Sequence, residues 1–207
     1  MRAVRLCLAA SAAAILGACS DGGGHSLSVD QMRDAGGGCP VDLEAAVAAS
    51  TLGASDGDLT VEVSEGSGEV PPDASVSDWT GQGYTALDWY DAVVVTCTQA
   101  VDRGDVTVEL VAVRRPQAGA AVGIVLPQVA RDLALTTDEL KGVVARFETA
   151  DAGDLVDLGG EGPIVVARLE VDGAESAALY VSAAAVAAAT PADVRAIVED
   201  LLRRAAA

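Results

Sequence analysis

Alternating apolar and polar residues mark several stretches of the chain as strands. From Leu59 to Val63, apolar residues alternate with threonine and glutamate, which is typical of a strand that buries one face. Four further ranges are also predicted to be strands: 91–98, 106–113, 164–171 and 176–181. β-branched residues are frequent in the first three. Gly104 separates the first two of these ranges, and Asp172-Gly173 separates the last two. Each pair is therefore predicted to form a hairpin.

Apolar residues at helical spacing predict three helices. The clearest follows Thr190 and Pro191, which suit an N-cap and a first turn. Its apolar stripe consists of Val194, Ile197, Val198, Leu201 and Leu202. A second helix follows Thr136 and Glu139, which have the spacing of a capping box. A third is expected to start near Pro40.

The range Val122–Leu126 fits either a strand or a helix. Pro127 follows it, and a proline inside a helix removes a hydrogen bond and clashes with the preceding turn. We therefore expect a strand or a turn here, with a helix beginning only at Pro127.

Together these elements predict an α+β domain. Strands joined by hairpin-type connections and separated by helices favour an antiparallel sheet with helices packed on one face. The C-terminal helix is expected to be amphipathic and to place its apolar stripe on that sheet.

The first residues have the pattern of a secretory signal. Arg2 and Arg5 precede an apolar run from Leu6 to Leu16, which is too short to span a membrane. The sequence Leu16-Gly17-Ala18-Cys19 resembles the lipobox of bacterial lipoproteins. This resemblance implies that residues 1–18 are a signal peptide, that lipid such as palmitate is attached to Cys19, and that the protein is anchored at the extracytoplasmic face of the cell membrane. The alternative is a secreted protein in which Cys19 forms a disulfide.

The region after the lipobox is rich in glycine, serine and aspartate. Residues 19–38 are therefore predicted to be a flexible tether. A single α+β domain is expected from residue 39 to residue 207.

The charge of the chain limits its partners. The formal net charge is −18, and removing Arg2 and Arg5 with the signal peptide changes it to −20. Binding to phosphate backbones needs clustered lysine and arginine, so no nucleic-acid partner is predicted. The predicted partners are the membrane, through the lipid on Cys19, and an unidentified ligand or protein of the cell envelope.

Three cysteines remain after the predicted cleavage. If Cys19 carries lipid, Cys39 and Cys97 form an even pair in an oxidising compartment, which favours a disulfide. A zinc site needs three or four ligands, and a catalytic thiol needs a histidine base. The single histidine, His25, lies in the predicted tether. No metal, cofactor or histidine-based catalytic residue is therefore predicted.

Four of the six aromatic residues lie between residues 78 and 91. They are Trp79, Tyr84, Trp89 and Tyr90. Such side chains suit sugars, lipid interfaces or partner surfaces, and they also suit packing of a long loop against the sheet. If a surface of this protein binds something, this aromatic segment is the sequence-based candidate.

The order of lipobox, glycine-rich tether, Cys39 before a helix and Cys97 in a strand is similar to DUF3558-type domains of actinobacterial lipoproteins. Gly38-Cys39-Pro40 and Cys97-Thr98-Gln99 depart from the usual surroundings of both cysteines. The resemblance implies an extracytoplasmic lipoprotein of undefined activity. Our leading hypothesis is a non-enzymatic module that binds a ligand or partner. The alternatives are a carboxylate-dependent hydrolase of cell-wall glycans and a structural or regulatory module of an envelope complex.

Overall fold

A computed structural model describes residues 27–53, 57–70, 81–117 and 119–205. The strands are β1 (Leu59–Glu65), β2 (Ala92–Val101), β3 (Gly104–Val113), β4 (Leu155–Val156), β5 (Ile164–Leu169) and β6 (Ser176–Ser182). The α-helices are α1 (Val29–Arg33), α2 (Leu43–Ala48), α3 (Ala86–Tyr90), α4 (Ala120–Leu133), α5 (Thr137–Thr149) and α6 (Pro191–Ala205). The predicted signal peptide, Cys19 and His25 lie outside the described residues, as does Trp79.

All six strands form one antiparallel sheet with the order β1-β2-β3-β6-β5-β4. The hairpin between β2 and β3 closes at Val101 and Gly104. At the centre of the sheet, β3 pairs with β6, and Leu110 lies opposite Leu179. The predicted α+β class with an antiparallel sheet and a C-terminal helix is confirmed.

Helices cover both faces of the sheet, whereas the sequence led us to expect one. On the first face, α1, α2 and α6 pack against side chains that include Val108 and Leu110. On the second face, α4 and α5 pack against side chains that include Val111 and Val113. Near-continuous apolar runs are typical of strands buried on both faces. Residues 111–113 form such a run. Earlier in β3, apolar and polar residues alternate, and this alternation predicted only one buried face.

The described fold begins at Leu27, so the prediction of a flexible tether through Gly38 is wrong for residues 27–38. Val29 and Met32 of α1 are buried in the first-face core, with Met32 at 0% exposure. Ser28 and Gln31 form a capping box at the start of this helix. Burial of two apolar side chains and a satisfied N-terminus outweigh the glycines that surround them.

The helix α4 runs through Pro127 without a break, so the predicted strand or turn at Val122–Leu126 is also wrong. A proline inside a helix costs roughly 3 kcal/mol. Val122, Val125 and Val129 are each 0% exposed on the second face of the sheet. Burying such side chains contributes about 1.5–3 kcal/mol each, which exceeds the cost of the proline.

The predicted disulfide between Cys39 and Cys97 is confirmed, with a Cα–Cα distance of 5.9 Å. Cys97 is fully buried in β2, and Cys39 precedes α2. The bond therefore fastens the segment between α1 and α2 to an inner strand of the sheet. In the described ranges, no helix combines the length and hydropathy that a membrane crossing needs.

Candidate functional site

The described part of the aromatic segment is packed against the domain. Tyr84, Trp89 and Tyr90 are half-buried, and Tyr90 packs against the second-face core. The guanidinium of Arg115 lies 5.3 Å from the ring centroid of Trp89. Arg115 also donates a hydrogen bond to the carbonyl of Val70. These contacts support the packing interpretation of Tyr84, Trp89 and Tyr90, and their use as a binding surface stays a prediction.

The acidic residues next to these aromatics already have partners. Asp88 accepts hydrogen bonds from the backbone N–H and hydroxyl groups of Ser67 and Thr85. These donors, with the Ser67 N–H foremost, hold the pKa of Asp88 well below its usual range. Asp91 pairs with Arg114 at 2.7 Å. Both carboxylates are thus engaged in holding α3, which leaves them poorly suited to proton transfer beside Trp89.

A second polar cluster lies on the other half of the same sheet face, beneath α4. Tyr180 donates a hydrogen bond to Asp132 at 2.5 Å, and Ser182 donates to the same carboxylate at 3.0 Å. Gln128 donates to Glu109 at 3.3 Å. Burial raises the pKa of Glu109, and the charge of Asp132 adds to this, although the hydrogen bond from Gln128 and the charge of Arg131 oppose it.

The variant Glu109→Gln is expected to be more stable than the wild type at neutral pH. A carboxyl group whose folded-state pKa is raised stabilises the fold fully below its unfolded pKa, ordinarily near 4.5, and this stabilisation is lost as pH rises through the folded pKa. Glutamine does not titrate and still accepts the hydrogen bond from Gln128. Thermal unfolding from pH 4 to pH 8 should therefore show the melting temperatures diverge as pH rises, whereas a constant difference would contradict this account.

A crevice whose inner part is lined mainly by leucines lies between α6 and the first face of the sheet. It consists of two adjoining cavities, both open to solvent, which share Leu27, Val41 and Leu201 in their walls. We call the one beside Arg204 the outer cavity and the one beside Leu110 and Leu179 the inner cavity. The outer cavity has a volume of about 480 Å³ and the inner cavity about 280 Å³. Small-molecule sites typically have volumes of roughly 300–1,000 Å³, so the outer cavity lies within that range and the inner cavity just below it. We call them the leucine crevice.

The inner cavity reaches the centre of the sheet. Leu110 and Leu179, which pair across β3 and β6, lie in its wall and are each only 1% exposed. The remaining wall residues are Ala152, Gly153, Leu169, Glu170 and Leu202. A polar ligand group would lose its hydration here without gaining enough hydrogen bonds, which is costly. The inner cavity therefore suits an aliphatic group.

The outer cavity has a polar rim. Gln31, Asp34 and Asp42 lie in its wall, together with Arg204 from the end of α6. Arg204 pairs with Asp42 at 3.2 Å. An apolar interior below a polar rim fits a ligand with an aliphatic chain and a polar end.

The N-terminal part of the chain enters the domain beside this crevice. The carbonyl of Leu27 accepts a hydrogen bond from the N–H of Asp172 at 2.8 Å, and the N–H of Val29 donates to the carbonyl of Asp172 at 3.0 Å. These two bonds fix Leu27 next to the turn between β5 and β6. This arrangement was not predicted, because residues 19–38 have the composition of a flexible tether.

No family model, curated protein or solved structure matches this chain. Among the described residues, no group of three or more His, Cys, Asp or Glu side chains is placed to hold a metal ion. The leucine crevice and the lipobox-like sequence before it are the two features that bear on function.

Proposed function

We propose that this protein is a lipid-anchored, extracytoplasmic lipoprotein whose domain binds an aliphatic chain in the leucine crevice. The lipobox at residues 16–19 supports the anchor, and the crevice supports the binding activity. The observation that carries the proposal is an apolar cavity that extends to the buried pair Leu110 and Leu179.

The driving force for binding is the burial of methylene groups. Each methylene transferred from water to an apolar wall contributes about 0.8 kcal/mol. The apolar interior accepts any saturated chain of suitable length, and the polar rim with Arg204 and Asp42 leaves the polar end of the ligand in water. The site is therefore selective for amphiphiles and does not require chemical turnover.

The engaged acids around α3 also favour binding over hydrolysis. A hydrolase that cleaves glycans needs two carboxyl groups free to act on one bond, at a separation of roughly 5–10 Å. Asp88 and Asp91, which flank Trp89, are occupied by hydrogen bonds and ion pairs. The acids beside Trp89 therefore give no support to a hydrolytic site at that residue.

The variant Leu202→Trp is expected to weaken binding of a fluorescent fatty acid at least tenfold. The indole would fill the inner cavity from its α6 wall, and a tenfold loss corresponds to about 1.4 kcal/mol. The measurement is a fluorescence titration with cis-parinaric acid. It uses the chain from residue 19 onward carrying Cys19→Ser, which retains every described residue and removes the predicted lipid site.

The matched control is Ala196→Trp, which places the same indole on an exposed position of α6. It should bind the probe like the parent chain. If Leu202→Trp fails to fold, Leu202→Glu tests the same wall by adding a charge to it. Equal probe affinity in the parent and the crevice variant, or no saturable binding by the parent, would overturn the proposal.

A further inference from the structure

We propose that the aliphatic chain held in the leucine crevice is an acyl chain of the protein's own Cys19 lipid. This inference rests on the proposed function, since it requires both the lipid on Cys19 and a crevice that binds aliphatic chains. It identifies the ligand as part of the same molecule.

The lipid on Cys19 is close enough along the chain to reach the crevice. Leu27 lies in the walls of both cavities and is fixed to Asp172 by backbone hydrogen bonds. Only eight residue steps separate Cys19 from Leu27. A fully extended chain covers at most 3.3–3.6 Å per residue, so the Cys19 sulfur stays within roughly 30 Å of the crevice. Gly22–Gly24 lie within this link, and glycine accepts the backbone angles that a reversal of direction needs.

The lipid on Cys19 competes with free amphiphiles for the crevice. A ligand joined to its site by a short link has an effective concentration in the millimolar range. A free amphiphile from the envelope would have to reach a similar local concentration or bind more tightly. The lipid on Cys19 therefore has an advantage over an untethered chain of the same chemistry whose local concentration is below the millimolar range.

An acyl chain has a similar transfer free energy in the crevice and in the bilayer. A methylene group is transferred out of water in both places, at about 0.8 kcal/mol each. Moving one acyl chain from the bilayer to the crevice therefore changes the free energy little. The lipobox resemblance implies two or three acyl chains, and stable anchoring takes two. A protein with three chains can therefore place one in the crevice while two keep it on the membrane.

The negative charge of the domain gives the covalent link between Cys19 and Leu27 a further role. The mature chain carries a formal charge of −20, from the −18 of the whole chain and the loss of two arginines. Anionic headgroups repel such a domain. The short covalent link, together with an acyl chain seated beside Leu27, keeps the crevice near the bilayer in spite of that repulsion.

The test uses the full-length protein, produced in cells that are fed a diazirine-bearing fatty acid and irradiated in intact membranes. Trypsin releases one peptide from Cys19 to Arg33 and another from Ala196 to Arg203, which carries Leu201 and Leu202. We expect a cross-linked product in which the acyl group of the Cys19 peptide is bonded to the 196–203 peptide. In the variant Leu202→Trp, the yield of this product should fall at least fivefold, and in Ala196→Trp it should not change.

The other outcomes separate this inference from the proposed function. Cross-links from the crevice peptides to phospholipid acyl chains alone would overturn the inference and leave the binding function in place. An intact mass without acyl groups on Cys19 would overturn the anchor and the inference together. Acylated Cys19 with no cross-link to the crevice from any lipid would contradict both the inference and the assignment of the crevice as an aliphatic site.

Discussion

Replacing Cys39 and Cys97 with alanine is expected to lower the free energy of unfolding by about 4 kcal/mol. The bond closes a loop with a sequence separation of 58 residues. In the chain-entropy model, opening a loop of this size returns about 4 kcal/mol of conformational freedom to the unfolded chain. For a domain of this size, each kcal/mol lowers the melting temperature by about 2–4 °C, so a fall of roughly 10 °C should follow.

Urea unfolding of the oxidised wild type and the double variant measures this difference directly. The wild type with its disulfide reduced serves as the control, since it has the same connectivity as the variant. Reduced wild type and variant should unfold at similar urea concentrations. A difference below 1 kcal/mol between oxidised wild type and variant would mean that the bond adds little to a fold already fixed by its core.

The variant Met32→Ala is expected to destabilise the domain by about 2–5 kcal/mol. Large-to-small substitutions at fully buried positions lose transfer free energy and leave a cavity, and values in this range are typical. Met32 is 0% exposed and packs in the first-face core. Chemical denaturation of the two chains measures the loss.

Gly36→Ala is the matched control within the same segment. An added Cβ at Gly36 has no heavy atom within 4 Å. Exposed substitutions of this kind usually change stability by less than about 0.5 kcal/mol. If residues 27–38 were a tether, Met32→Ala would be as neutral as Gly36→Ala. Equal stabilities would therefore contradict the packing of α1.

Elements with local signals were predicted well from the sequence. The capping box at Thr136 and Glu139 and the apolar stripe of α6 each lie within a few turns of one helix. The alternation of apolar and polar residues likewise predicted β1. In these cases, the residues that determine the structure are close together in sequence, so periodicity and cap chemistry were sufficient.

Elements that depend on distant contacts were predicted less well. The helix α1 is only five residues long, and the glycine-rich composition around it predicted a tether. In α4, burial against the sheet offsets the cost of Pro127. The leucine crevice could not be predicted, because Leu27, Leu110 and Leu201 are far apart in sequence and Leu27 lies in the range that was predicted to be a tether.

The position of the disulfide also determines how the domain responds to mechanical load. A pull on the N-terminal link first acts on the two backbone hydrogen bonds between Leu27, Val29 and Asp172. Once these break, the chain can unravel only as far as Cys39, which releases roughly 40 Å of extended backbone. Beyond that point, the covalent bond passes the force to Cys97 in β2. Under tension applied from its N-terminal side, the domain can thus lose its first helix while the sheet keeps its pairing.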